Sequence, residues 1–402
     1  MVTKTAENII EMAEQYGANN YHPLPVVLTK GEGIWVWDVS GKKYLDMLSA
    51  YSALNQGHRH PRIMKALMEQ AEKITLTSRA FHNEVMGDML EKVCKIAEME
   101  KFLPMNTGAE AVETALKTAR KWAYKVKGTE KDKARIIVCA DNFHGRTVTI
   151  VGFSTEAQYQ DGFGPFTPGF DVIPFGDYEA LEKTMTDDTA AFMFEPIQGE
   201  AGINMLPDDF LKKAQALCKK HRTLMIADEV QTGFGRTGKL FCCEHYGVKP
   251  DMYIIGKAFG GGVYPVSGVI SSKEIMSVYN PGDHGSTFGG NPLASAVAIA
   301  ALDVIMDEKL SERSMELGNW FIERLRKINS KHIKEIRGKG LMVGLEVKKE
   351  SGPARPFCEK LFEKGILAKE THDQVIRFAP PLMISKEDLE WAANTIESVM
   401  ME

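Results

Sequence analysis

A chain of 402 residues is two or three domains long at about 150 residues per domain. Its 44% hydrophobic and 26% charged residues are those of a soluble globular protein, which excludes a disordered chain, a collagen-like repeat and a small disulfide scaffold. Its 49 basic side chains against 54 acidic ones, a net charge of −5, argue against a nucleic-acid binder, which carries a basic excess or stripe.

The first twenty residues set Lys4 against Glu7, Glu11 and Glu14, with no apolar core and no arginine before Arg59. Neither a secretory signal nor a transit peptide is expected from that pattern. Residues 34–38 and 43–46 flank Ser40-Gly41 like a hairpin. From about 109 to 270 the periodicity alternates. Helical segments at 109–126 and 208–221 are interspersed with strand-length apolar runs at 136–140, 148–152, 190–194, 224–227 and 252–255. That alternation predicts crossover units and a mostly parallel sheet covered on both faces. Asn291-Pro292 reads as an N-cap with proline at the first helical position, opening a nearly all-apolar, buried helix to Met306 that is too short and too interrupted to span a bilayer. Beyond a polar stretch at 307–314, a long amphipathic helix up to Asn329 leads to strand-like segments at 333–336, 341–347 and 375–378, and a last helix starts near Lys386. The expectation is an α/β large domain over 48–306, and a smaller α+β domain formed by 307–402 with the N-terminal segment 1–47. The six cysteines contain no C-x-x-C pair and read as reduced thiols of a cytoplasmic protein; no metal site and no membrane contact are expected.

The most conspicuous pattern is misleading. Gly233-Phe234-Gly235-Arg236-Thr237-Gly238 matches the dinucleotide fingerprint G-x-G-x-x-G and, with Lys239, most of a P-loop. Both motifs need a strand leading directly into the glycines and a helix leading out. Here residues 228–232 intervene, no helical start follows, and Leu240 stands where a P-loop needs Ser or Thr. A glycine-rich loop at an active site or interface is the better reading. Asn106-Thr107-Gly108-Ala109-Glu110-Ala111, by contrast, lies at a helix start, where free N–H groups and the positive dipole end suit a phosphate. Two apolar runs end in charge, 224–227 at Asp228-Glu229 and 252–256 at Lys257. The carboxyl ends of parallel strands line the ligand crevice of such sheets. A lysine desolvated there becomes a nucleophilic amine, and an aspartate there could hold a ring nitrogen protonated. Each feature alone is most often an ordinary capped turn or solvated loop charge. Together they specify what pyridoxal phosphate requires.

Six segments appear in order: 106–111, Asn142-Phe143-His144-Gly145-Arg146-Thr147, Glu195-Pro196-Ile197-Gln198-Gly199-Glu200, Asp228-Glu229-Val230-Gln231-Thr232-Gly233, Gly256-Lys257-Ala258 and Ser286-Thr287-Phe288-Gly289-Gly290-Asn291-Pro292. This series, covering essentially the whole chain, resembles the class III pyridoxal-phosphate aminotransferases. The resemblance implies a fold-type I transferase whose large domain carries a mostly parallel seven-stranded sheet. It implies that Lys257 anchors the cofactor covalently and later carries the substrate proton, and that Asp228 pairs with the pyridine nitrogen. Phe143 and Val230 would sandwich the ring, with Gln231 near its phenolic oxygen. Thr107, Gly108 and Ala109 would hold the phosphate, helped by Ser286 and Thr287 of a second subunit, which makes a homodimer the expected assembly.

Within that family, residues 21–25, 50–58 and 375–381 are similar to the branch that acts on L-ornithine. There, Tyr21 and Arg146 would grip the α-amine and α-carboxylate far from the ring, and Tyr51 would line the same cavity. The second substrate, 2-oxoglutarate (L-glutamate in reverse), has two carboxylates and needs a further arginine, for which Arg377 is the match. An unmasked Arg377 would attract ornithine's own carboxylate, so Glu200 is expected to pair with it in one half-reaction and swing away in the other. The nearest alternatives are acetylornithine and 4-aminobutyrate aminotransferases. Tyr21 and Tyr51 argue against both, because an α-amine that is acetylated or absent gives them nothing to grip. A nicotinamide-dependent dehydrogenase using residues 233–238 is a competitor of another class. A non-catalytic homologue is disfavoured by the presence of both Lys257 and Asp228.

Overall fold

The computed structural model describes residues 5–402; residues 1–4, Lys4 included, lie outside it. A seven-stranded sheet forms the centre, in the spatial order Lys101–Met105, Ser267–Ser271, Met252–Ile255, Leu224–Asp228, Thr189–Phe194, Arg135–Cys139 and Phe170–Ile173. All strands run in one direction except Ser267–Ser271, which is antiparallel to both neighbours. Strand periodicity divides the core in two. Met225, Ala227, Tyr253 and Ile255 face helices Phe210–Lys220 and Pro292–Asp307, while Leu224, Ile226, Met252 and Ile254 face helix Gly108–Trp122. Burial on both faces is why these strands read as continuous apolar runs.

The expected N-cap at Asn291 is present, its side chain accepting from the Ala294 N–H at 2.8 Å. Two expectations are corrected. Residues 148–152 join no strand: Val148–Val151 is a short helix capped by Thr147, with Ile150 and Val151 turned inward and Val148 exposed. The β-branched run suggested a strand, but the N-cap and one-sided burial decide otherwise. The long amphipathic helix does not wait for the end of the polar stretch at 307–314: helix Leu310–Arg326 starts within it and buries Leu310 and Ser314.

Two four-stranded sheets and a two-stranded ribbon, Ile197–Gln198 with Asn204–Met205, accompany this layer. Strands Leu28–Glu32, Trp35–Asp38 and Lys43–Asp46 form an antiparallel meander, and Lys43–Asp46 also pairs in parallel with Ile366–Leu367, tying the N-terminal segment to the C-terminal part. Ile333–Lys339, Met342–Val347, Val375–Phe378 and Lys369–Thr371 make an antiparallel sheet in which Arg377 pairs with Gly344. Among the described residues no helix is long and apolar enough to cross a membrane.

Candidate active site

The parallel strands end on one side of the sheet, and the polar residues that follow them meet there. Met105 leads into Asn106-Thr107, Cys139 into the loop carrying Phe143, Phe194 into Glu195, and Asp228 closes its own strand. Lys257 opens the turn Lys257–Gly260 after Met252–Ile255. A cavity of about 220 Å³ gathers Gly108, Ala109, Phe143, Glu195, Asp228, Val230, Gln231 and Lys257 in its walls.

The helix start is a capping box: Thr107 Oγ1 accepts from Glu110 N at 3.2 Å, and Glu110 Oε2 accepts from Thr107 N at 2.9 Å. The N–H groups of Gly108 and Ala109 remain at the positive end of the dipole, without intrahelical acceptors. Lys257 sits at φ +47, in the left-handed region that costs a non-glycine residue about 1–3 kcal/mol and recurs at functional sites. Burial lowers its amine pKa, and the charges of Glu200 and Asp228 offset this only in part. Asp228 Oδ1 accepts from Val230 N at 3.0 Å and Oδ2 from His144 Nδ1 at 2.7 Å. A helix-end anion cradle, the apolar side chains of Phe143 and Val230, a buried carboxylate and a desolvated amine around one cavity fit the phosphate, ring, ring nitrogen and aldehyde of pyridoxal phosphate.

Two residues on this cavity escaped the sequence reading. Burial opposes a charge on His144, yet the hydrogen bond and charge of Asp228 win and raise its pKa. Glu195 accepts from Phe143 N at 3.1 Å; burial, reinforced by Asp228, pushes its pKa up to about 8 despite His144. Both lie inside motifs that drew attention for other residues, and nothing but their neighbours there marks them.

Above the cavity, Glu200 and Arg377 form a two-pronged pair, Nη1 to Oε1 at 2.9 Å and Nη2 to Oε2 at 3.0 Å. Gln231 bridges them, donating to Glu200 Oε1 at 3.1 Å and accepting from Arg377 Nη1 at 3.0 Å. Side chains crowd Glu200, yet a quarter of its surface stays open to the cleft. Burial pushes its pKa upward, but the charge and hydrogen bonds of Arg377 prevail and bring it down to about 2. A Cβ at Gly199 would lie 2.0 Å from Gln231 Oε1, so any larger residue there would displace that amide from its bridge.

Tyr51 lies with its ring centroid 5.0 Å from Arg377 Cζ. It is presented by four consecutive residues with positive φ, Ser49 to Ser52. Asp46 supports this strained turn, accepting from Leu48 N and Ser49 N at 2.9 and 2.8 Å through Oδ1 and from His58 at 2.8 Å through Oδ2. Arg146 is exposed beside Phe143, and Tyr21 is 72% exposed, on a cleft that it shares with Ile10, Ala13 and Leu24, and within electrostatic reach of Tyr51 and Tyr159. Ser286 and Thr287 do not line the cavity of their own chain: Ser286 Oγ accepts from Asn106 Nδ2 at 2.8 Å, and Thr287 is exposed. The loop 233–238 opens no α-helix, but, contrary to the expectation that no helical start follows, residues 239–241 lead into a 3-10 helix at Cys242–Tyr246; Arg236 is wholly buried.

Residues 16–400 match the sequence profile of the class-III aminotransferases. The chain is 63% identical over 398 residues to an ornithine aminotransferase of Geobacillus sp. (strain WCH70), covering 99% of each. A solved ornithine aminotransferase from Toxoplasma gondii, with partial occupancy of PLP at its active site, superposes with a TM-score of 0.98 at 46% identity, over 99% of this chain and 95% of that one. An acetylornithine aminotransferase from Elizabethkingia anophelis superposes with a TM-score of 0.90 at 50% identity, over 99% of each.

Proposed function

The chain belongs to the class-III aminotransferases, enzymes that use pyridoxal phosphate, and from that premise we propose that it transfers the terminal amino group of L-ornithine to 2-oxoglutarate, giving L-glutamate 5-semialdehyde and L-glutamate in two half-reactions. The observation that carries the choice of substrate is the unequal state of two arginines: Arg377 is paired with Glu200, and Arg146 is paired with no carboxylate among the described residues.

When bound, pyridoxal phosphate supplies an aldehyde for an amine and a conjugated ring that accepts the electron pair left by a departing C–H proton. Lys257, its amine deprotonated more readily because it is buried, would hold that aldehyde and then move the proton at its Nζ. Asp228, kept in place by His144 and Val230 N–H, keeps the ring nitrogen protonated. Gly108 and Ala109, with Thr107, would hold the phosphate, Phe143 and Val230 would pack against the ring, and Gln231 would reach its phenolic oxygen. In the ornithine half-reaction Arg146 forks the α-carboxylate, Tyr21 takes the α-amine and Tyr51 closes the cavity, so the δ-amine reaches the reactive centre. Glu200 masks Arg377 at this stage. A dicarboxylate displaces Glu200 and takes Arg377 in the second. Ser286 and Thr287 complete the phosphate site of a second subunit in a homodimer, a reading supported by their position outside their own cavity. The working compartment is the cytoplasm, in keeping with six free cysteines.

The test is an assay of the purified protein with ornithine, N-acetylornithine and 4-aminobutyrate, each with 2-oxoglutarate. Ornithine is expected to dominate kcat/KM. Preference for N-acetylornithine would overturn the substrate and leave the chemistry standing.

A further inference from the structure

A guanidinium has two recognition surfaces: a planar face that stacks on aromatic rings, and an edge of N–H donors that forks a carboxylate. Arg377 commits its edge to Glu200. Arg146 has no carboxylate on its edge among the described residues and lies over aromatic rings instead. Its Cζ lies 4.3 Å from the Tyr159 ring centroid and 5.7 Å from that of Phe143. The two rings stand edge to face, 6.1 Å apart at 74°, and make a corner that cradles the guanidinium.

The corner is held by its own loop. Tyr159 lies on the short turn Ala157–Gln160, and Gln160 ties that turn down by donating to Ser154 O at 2.7 Å and Val151 O at 3.2 Å. Thr155 Oγ1 accepts from Asp141 N at 2.8 Å and donates to Asp141 Oδ1 at 3.0 Å, locking the turn to the start of the loop that carries Phe143 and Arg146. Tyr159 is half-buried and lies within electrostatic reach of Arg146, Glu200 and Tyr21.

We propose that Tyr159 is a substrate-positioning residue: its ring fixes the plane of Arg146 so that the free edge meets the α-carboxylate of ornithine, and this sets the preference for an amine that carries a distant carboxylate over one that does not. The proposal rests on the reading of Arg146 given above. A long side chain loses much rotamer freedom on binding, and a ring that fixes it beforehand removes part of that cost. A carboxylate partner inside the protein would fix it equally well but would compete with the substrate. An aromatic face does not compete.

The experiment compares L-ornithine with putrescine, which is ornithine without its carboxylate, in wild type, Tyr159→Leu, Tyr159→Phe and Arg146→Ala. Tyr159→Leu is expected to raise KM for ornithine roughly five- to tenfold with kcat little changed. It should leave putrescine kinetics, the cofactor's absorption spectrum and the melting temperature unaltered. Tyr159→Phe keeps the ring and should behave as wild type. Arg146→Ala should remove the ornithine preference altogether. If Arg146→Ala removes that preference while Tyr159→Leu keeps it, the platform is refuted and the role of Arg146 stands. If Tyr159→Phe loses as much as Tyr159→Leu, the hydroxyl acts instead of the ring, and the proposal fails. If Arg146→Ala keeps the preference, the carboxylate lies elsewhere and both assignments fall.

Discussion

Removing the carboxylate of Glu200 should change which amine of ornithine reacts. The pair with Arg377 has two charge-assisted hydrogen bonds and a bridging Gln231. Lowering Glu200 from 4.5 to about 2 corresponds to roughly 3 kcal/mol in favour of its charged form, at about 1.4 kcal/mol per pH unit. Losing one member of a buried pair typically costs about 3–5 kcal/mol, which agrees. In Glu200→Ala that energy becomes available to any carboxylate entering the cleft, and ornithine can bind reversed with its α-carboxylate on Arg377. The partition between α- and δ-amine should shift toward α by up to roughly a hundredfold. The glutamate half-reaction should survive or accelerate, because the dicarboxylate no longer displaces Glu200. Thr371 donates its hydroxyl to the Glu200 carbonyl, so the backbone is pinned and the side chain is the part free to move. Glu200→Gln keeps the shape without the charge and should fall between the two. Stopped-flow single turnovers with ornithine and with glutamate, followed by product identification, make the assay. If both half-reactions of Glu200→Ala slow equally and semialdehyde is the sole product from ornithine, Glu200 is structural and the masking argument is wrong.

Lys257→Ala should bind the cofactor reversibly, give no borohydride-fixed adduct on the chain and lose transamination by several orders of magnitude; substantial turnover without an added amine would remove Lys257 from its role. Glu195 titrates near 8 in the fold against an ordinary 4.5, so it holds its proton in the native protein and releases it on unfolding. Its contribution to stability therefore declines as pH rises from about 4.5 to about 8 and is level above that. Glu195→Gln, which has no proton to lose, should gain in melting temperature over wild type across that interval, and parallel melting curves from pH 5 to 8 would contradict the assignment. In Gly318→Ala the new Cβ would lie 2.1 Å from the carbonyl carbon and oxygen of Gly340, so helix Leu310–Arg326 must shift. A loss of about 1–3 kcal/mol and a melting temperature several degrees lower are expected in differential scanning calorimetry.

What the sequence made legible was local. Apolar runs ending in Asp228 and Lys257 predict a crevice at the strand ends, and the sheet places both there because its parallel strands end on one side. Contacts made across the chain were not legible. Nothing near position 159 signals that its ring meets Arg146, and nothing in residues 49–52 signals four left-handed residues, which depend on Asp46 and His58 for support. The run 148–152 shows the same limit from the other side: β-branched residues carry strand propensity, but Thr147 caps them into a short helix.

The loop 233–238 follows from the same distinction. Its glycines suggested a nucleotide, yet its chemistry is structural and lies in Arg236. Buried among apolar neighbours, that guanidinium donates to Leu341 O at 2.9 Å, Pro380 O at 2.7 Å and Asn55 Oδ1 at 2.6 Å. Those acceptors follow soon after the turn that presents Tyr51 and the strand that carries Arg377, and precede the strand Met342–Val347 that pairs with Val375–Phe378. A side chain that ties all three together holds Tyr51 and Arg377 in register. An arginine serves here because its five donors reach several carbonyls at once, where a lysine has three around a single nitrogen.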